Sequence, residues 1–216
     1  MFDVYVINLK DREDRWNKII EIFGKDFNLI RVDAIKHEIG AYGCFLSHQK
    51  CIQIAKDKHL KYIIVIEDDC SKNNLFDLKV KIDNIVECLL KYKNWDIFTG
   101  TPNNLVGTNI LKSVTYNKTK LYHINKTSTT NFIIYNSSSY DFYLNNTSFD
   151  PFKEALDNIW WHKLRAFTSI PFITYQYPCY SNIEKKEINY SRKFKKVELR
   201  IIKYISDNNI ENYNVV

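Results

Sequence analysis

The sequence predicts an α/β fold with a mostly parallel central sheet and a small antiparallel part. Three observations lead there. Short apolar runs at residues 3–9, 29–32, 62–66 and 95–98 alternate with segments of helical period. The third run, Tyr62-Ile63-Ile64-Val65-Ile66, reads as a buried strand and stops at three acids, Glu67-Asp68-Asp69. After residue 101 the chain turns rich in Asn, Thr and Tyr, with strand-like pieces at 111–116, 120–124 and 131–135. The first pattern is a β-α-β-α-β-α-β series and the last an antiparallel hairpin followed by a return to the sheet.

Each element has its own signal. Val4-Tyr5-Val6-Ile7 is the core of the first strand. A helix follows, with Asp11 as the expected cap and Asp14 as its capping-box partner. Trp16, Ile19, Ile20 and Phe23 mark its apolar face. Residues 34–42 read as a loop and 43–58 as a long helix with Phe45, Ile52 and Ala55 inward. Another helix at 76–91 offers Leu75, Leu78, Val80, Ile82, Ile85, Leu89 and Leu90 for burial. Helices are expected at 137–145, 152–166 and 191–206, and a late strand at 172–175.

A chain of 216 residues with 45% hydrophobic and 15% aromatic side chains can build one full core. The expected organisation is a single domain over 1–216. Residues 1–100 form a ligand-binding half, 101–190 a half that shapes the second substrate, and 191–216 a basic helix and tail. The net charge is +6, and nothing resembles a nucleic-acid-binding motif, so no nucleic-acid partner is expected. The five cysteines are scattered and form no CxxC pair, which suits reduced thiols in a cytosol-like compartment. The chain begins directly in strand pattern, and no stretch reaches membrane-spanning length. The expected location is the cytoplasm. The basic segment 192–206, where Phe194, Val197, Leu199, Ile201 and Ile202 are interspersed, reads as a solvated helix face, with peripheral contact with a membrane surface as the competing reading.

Chemistry concentrates at three places. Adjacent carboxylates repel and resist burial, and a divalent cation such as Mn²⁺ or Mg²⁺ relieves both problems. In extended chain Glu67 and Asp69 point one way and Asp68 the other. The competing reading of the triplet is a solvated turn. Asn8-Leu9-Lys10-Asp11-Arg12-Glu13-Asp14-Arg15 joins the first strand to the first helix, where backbone amides and arginine forks suit a diphosphate. Against this, Arg12 and Arg15 can be surface charges paired with nearby acids. Gly43-Cys44-Phe45-Leu46-Ser47-His48 opens the long helix, with Gly43 permitting a tight entry. Cys44 and His48 share a helical face, but no third group orients them as a nucleophile and base.

These segments together resemble glycosyltransferase family 25, the lipopolysaccharide and collagen galactosyltransferase-type enzymes. The likeness rests on Val6-Ile7-Asn8-Leu9-x-x-Arg12-x-x-Arg15, on Gly43-Cys44-Phe45-Leu46-Ser47-His48, on Ile66-Glu67-Asp68-Asp69, and on Pro171-Phe172, Gln176 and Ser181-Asn182-Ile183. It spans about residues 3 to 183. Asn182 departs from the acid usual in the closing block.

The resemblance implies a GT-A-like, Rossmann-like domain and an inverting transfer of a hexose, galactose or glucose, from a UDP-sugar. The acceptor is a hydroxyl on a glycan, a lipid-linked sugar, lipopolysaccharide or a collagen-like protein. It implies Mn²⁺ or Mg²⁺ on Asp69 with Glu67, and a donor site of Asn8, Arg12, Arg15, Ser47, His48, Glu67 and Asp68. Asp157, on a segment with Trp160 and Trp161, is the expected general base, ahead of Glu154 and Asp150. The alternative is an inactive sugar-nucleotide-binding protein of the same fold.

Overall fold

The strands form where β-branched and aromatic residues cluster, and the central ones are apolar on both faces. The computed structural model describes residues 1–126, 128–145, 163–181 and 185–215. Its first half runs β1 (Asp3–Asn8), α1 (Glu13–Phe23), β2 (Asn28–Asp33), α2 (Gly40–Asp57), β3 (Tyr62–Glu67), β4 (Cys70–Lys72), α3 (Leu78–Tyr92) and β5 (Ile97–Thr99). Then come β6 (Ile110–Tyr116), β7 (Thr119–Ile124), β8 (Phe132–Asn136), α4 (Tyr140–Leu144), β9 (Ala166–Thr168), β10 (Thr174–Gln176), β11 (Cys179–Ser181), β12 (Lys186–Ile188), α5 (Ser191–Asp207) and β13 (Asn212–Asn214).

The main sheet has nine strands in the order β13-β6-β7-β9-β5-β8-β3-β1-β2. The pairings make β7 and β8 run against all the others. The sheet is therefore mostly parallel in direction, as the sequence predicts, and β6–β7 is the expected hairpin. Two small antiparallel pairs, β4–β10 and β11–β12, lie beside it.

Alternation along the strands builds two cores. Tyr5, Ile7, Ile63 and Val65 face α2, α4 and α5, while Val4, Val6, Ile64 and Ile66 face α1 and α3. Glu67 follows the parity of Ile63 and Val65, so it leaves the strand towards α2. Because β1 is flanked by β2 on one side and β3 on the other, the connections α1 and α2 pack on opposite faces. The gap between their N-termini is the switch point where open α/β sheets bind ligands.

Several expectations change. Asp11 does not cap α1. The cap position is Arg12, without a side-chain cap bond, and Asp11 pairs instead with Lys36 at 3.3 Å. Helix α2 starts at Gly40, so residues 40–42 are helical and Gly43 lies inside its first turn. Of the apolar residues offered for burial around α3, Leu75, Val80 and Leu90 are exposed, and Ile20 of α1 is exposed too. A helix at 152–166 falls mostly outside the described residues, and its last residue, Ala166, opens β9. Among the described residues, no helix is long and apolar enough to cross a membrane.

Helix α5 packs Phe194, Val197 and Ile201 into the core and leaves Leu199 and Ile202 exposed. It also buries Glu198, whose Oε1 accepts from the Phe172 amide at 2.7 Å and whose two oxygens accept from the Tyr175 hydroxyl at 3.2 Å. The carboxylate thus ties the closing helix to the segment that leads into β10. Glu198→Ala strands a buried amide donor, and we expect a loss of about 2–3 kcal/mol in urea unfolding.

Candidate functional site

A cavity of about 510 Å³ opens at that switch point. Register sets its base. Ile7 pairs with Glu67, and Asn8 with Asp33, so the carboxyl ends of β2, β1 and β3 lie side by side. The walls are Arg12 and Arg15 from the start of α1, and Gly40, Gly43, Cys44 and Ser47 from the start of α2. The loop residues 34–38, among them Lys36 and Glu38, and Tyr180 and Lys185 from the β11–β12 hairpin also line it. Neither helix start carries a side-chain cap bond, which suits an anion at their first-turn amides.

Glycine is required at position 43 by a close approach. A Cβ there would lie 2.6 Å from the Ile35 carbonyl oxygen. The same loop is pinned by Ser47, whose hydroxyl donates to the Gly43 carbonyl at 2.6 Å and accepts the Ile35 amide at 2.8 Å. Ser47 thus shapes the cavity wall.

The three acids of the triplet meet three different environments. Glu67 ends β3, and its Oε1 accepts from Thr130 Oγ1 at 2.5 Å, His48 Nε2 at 3.3 Å and Cys44 Sγ at 3.8 Å. Burial alone would raise its pKa, but these bonds and the His48 charge hold it below the ordinary value. His48 is itself buried and oriented through Nδ1, 2.8 Å from the Tyr135 hydroxyl.

Asp68 faces the other way, into a buried ion pair. Its Oδ1 accepts from Arg15 NH1 at 2.5 Å and its Oδ2 from Asn8 Nδ2 at 2.8 Å. Arg15 also donates through NH2 to the Tyr180 carbonyl at 2.5 Å, so one guanidinium joins α1, the end of β3 and the hairpin. Burial raises the Asp68 pKa despite the Arg15 charge. Burial lowers and Asp68 raises that of Arg15, with a net rise.

Asp69 sits in the turn behind them and does not line the cavity. Gln176 Nε2 donates to its Oδ2 at 2.6 Å, while Oδ1 is buried with no hydrogen-bond partner among the described residues. Burial, then the Glu67 and Asp68 charges, push its pKa up to about 8.

The strand alternation therefore stops at Glu67. The structure brings Glu67 and Asp68 to the cavity with Arg12, Arg15 and Ser47, and holds Asn8 and His48 just behind them. Arg12 lines the cavity, its fork on the Asp14 carboxylate by two bonds of 2.8 Å. Arg15 is 8% exposed and bonded to Asp68 and the Tyr180 carbonyl, so it is not a surface charge, and it lines the cavity from within that network. Asp150, Glu154, Asp157, Trp160, Trp161 and Asn182 lie outside the described residues. Sequence reasoning missed Thr130, Tyr135 and Tyr180. Thr130 had a signal. It precedes the strand expected at 131–135, and antiparallel pairing with β3 puts that strand's start beside Glu67.

A hard cation fits these residues in part. Both Asp68 oxygens are engaged, whereas Asp69 Oδ1 is an orphaned buried acceptor and the bonds to Glu67 fall on Oε1 alone. Among the described residues, the group of three metal-ligating side chains that converges, with donor atoms within 4.8 Å of one another, is Cys44, His48 and Glu67.

The raised pKa of Asp69 gives stability a definite pH slope. The folded state keeps a proton that the unfolded state loses above the ordinary value of 3.8, so stability falls as pH rises from there to about 8. Asp69→Asn removes that slope. In metal-free protein we expect urea unfolding to show the variant gaining on wild type at pH 8 relative to pH 5; a constant difference contradicts the assignment.

No protein-family model and no curated protein matches the chain, so the resemblance to glycosyltransferase family 25 rests on the motifs. Solved structures similar to it include A197 from STIV, with TM-score 0.48 and 11% identity over 87% of this chain and 93% of that one. A UDP-glucose pyrophosphorylase in its apo form aligns with TM-score 0.40 and 10% identity over 96% and 82%. A glycosyltransferase involved in glycosylating the major capsid of PBCV-1 aligns with TM-score 0.34 and 12% identity over 68% and 67%. Likenesses of this strength carry no argument about function.

Proposed function

We propose that the chain is a transferase that binds a UDP-hexose in the switch-point cavity and passes the hexose to an acceptor hydroxyl with inversion. One observation carries the reading. The cavity unites two uncapped helix starts and the cations Arg12, Lys36 and Lys185 with the carboxylates Asp11, Glu38, Glu67 and Asp68. A sugar nucleotide needs both. Its diphosphate wants amides and cations, and its sugar hydroxyls want carboxylate acceptors.

In this scheme the helix-start amides and Arg12 hold the diphosphate, Arg12 leaving Asp14 to do so. Arg15 and Asn8 keep Asp68 fixed, and Ser47 keeps the 34–39 loop against α2. Glu67, at the cavity, would hold Mn²⁺ or Mg²⁺, and Asp69 would join it only after its side chain swings out of the turn behind. Such an ion would supply neutralisation of charge on a UDP leaving group. Asp157 takes the proton from the acceptor hydroxyl as its oxygen bonds to the anomeric carbon and the bond to UDP breaks. Galactose and glucose are the proposed sugars, and a glycan, lipid-linked, lipopolysaccharide or collagen-like hydroxyl the acceptor.

UDP release from UDP-galactose and UDP-glucose, with Mn²⁺ and with EDTA, tests the reading. We expect slow release with one donor, lost on chelation and lowered about 10²–10⁴-fold by Asp157→Asn. UDP binding without release from any donor supports the inactive sugar-nucleotide-binding alternative instead.

A further inference from the structure

We propose that Cys44, His48 and Glu67 form a three-ligand site for a borderline transition-metal ion of the Zn²⁺ type, with its open position towards the cavity. This does not rest on the sugar-nucleotide reading, because the donor set is the same whatever fills the cavity.

The geometry is that of a coordination face. Zn²⁺ sits about 2.3 Å from a thiolate sulfur and about 2.0–2.1 Å from imidazole nitrogen or carboxylate oxygen. At tetrahedral angles those lengths separate sulfur from oxygen by about 3.5 Å and nitrogen from oxygen by about 3.3 Å. Here Cys44 Sγ lies 3.8 Å and His48 Nε2 3.3 Å from Glu67 Oε1, and all three donor atoms fall within 4.8 Å. Small side-chain adjustments would centre an ion among them.

The scaffold is rigid. Cys44 and His48 stand one turn apart on α2, and Glu67 is the last residue of β3. The buried Tyr135 hydroxyl at Nδ1 fixes the His48 ring with Nε2 towards Glu67, the support that metal-bound histidines have. Cys44 and Glu67 line the cavity, and the Glu67 side chain is 23% exposed, so a fourth ligand can enter from there. The donor set of sulfur, nitrogen and one oxygen favours Zn²⁺ over the oxygen-seeking Mg²⁺.

The proton balance is simple. The Cys44 thiol gives its proton to solvent as the metal–sulfur bond forms. Any proton His48 carries on Nε2 towards Glu67 likewise leaves to solvent as the metal–nitrogen bond forms, and the ring keeps one on Nδ1, donating to the Tyr135 oxygen. Glu67 binds through Oε1 as a carboxylate.

Cobalt(II) titration of the EDTA-stripped full chain tests the site, because Co²⁺ reports thiolate ligation by a near-ultraviolet charge-transfer band and tetrahedral geometry by intense visible bands. We expect both at one equivalent, loss of both on adding Zn²⁺, retention in Cys179→Ser and loss of the charge-transfer band in Cys44→Ser. Tyr135→Phe keeps every ligand and should weaken Co²⁺ by about 10–100-fold. Absence of the thiolate band in wild type, or its survival in Cys44→Ser, overturns the proposal. Wild-type affinity in Tyr135→Phe overturns the part given to Tyr135.

Discussion

The buried pair of Arg15 and Asp68 is the constraint on which the rest of the site depends. One guanidinium reaches from α1 to the end of β3 and on to the Tyr180 carbonyl in the hairpin. Removing one partner from such a pair leaves a buried charge uncompensated, which costs about 3–5 kcal/mol. The pair therefore fixes where α1, the strand ends and the hairpin stand relative to one another, and so fixes the cavity they enclose. Asn8, the last residue of β1, adds a third point through Asp68 Oδ2.

With Asp68 neutralised in this way, its two neighbours can differ. Glu67 stays ionised because Thr130, His48 and Cys44 surround it with donors. Asp69 has one donor, Gln176, and a bare second oxygen. Three adjacent acids thus become a paired charge, a hydrogen-bonded charge and a carboxyl that holds its proton near neutrality. Separating pKa values among adjacent groups by environment is the usual preparation for proton or metal chemistry.

Much of this was legible in the sequence, and the limits have physical reasons. The series from β1 to β3 was readable because its apolar runs are long enough to show a period, and Glu67 at a strand end pointed to the site. The strands β4, β9, β11, β12 and β13 are three residues each, too short to establish alternation, and β10, read at 172–175, starts at Thr174. Strand parity puts Glu67 and Asp69 on one side only while the chain stays extended, and the backbone turns after Glu67. Arg15 and Asp68 are 53 residues apart, so their pairing needs the fold. Hydrophobicity alone marks Leu75, Val80 and Leu90 for burial, although single exposed apolar side chains are ordinary.

The cavity beside this ion pair is proposed to receive a nucleoside diphosphate. Calorimetric titration of UDP into the full chain, with and without Mn²⁺, tests it most directly. The account predicts saturable binding, weakened at least about tenfold by Arg12→Ala, the ~1.4 kcal/mol of one charge-assisted contact, and unchanged by Lys118→Ala, whose residue lies outside the cavity. No UDP binding under either condition, in protein shown to be folded, would contradict it.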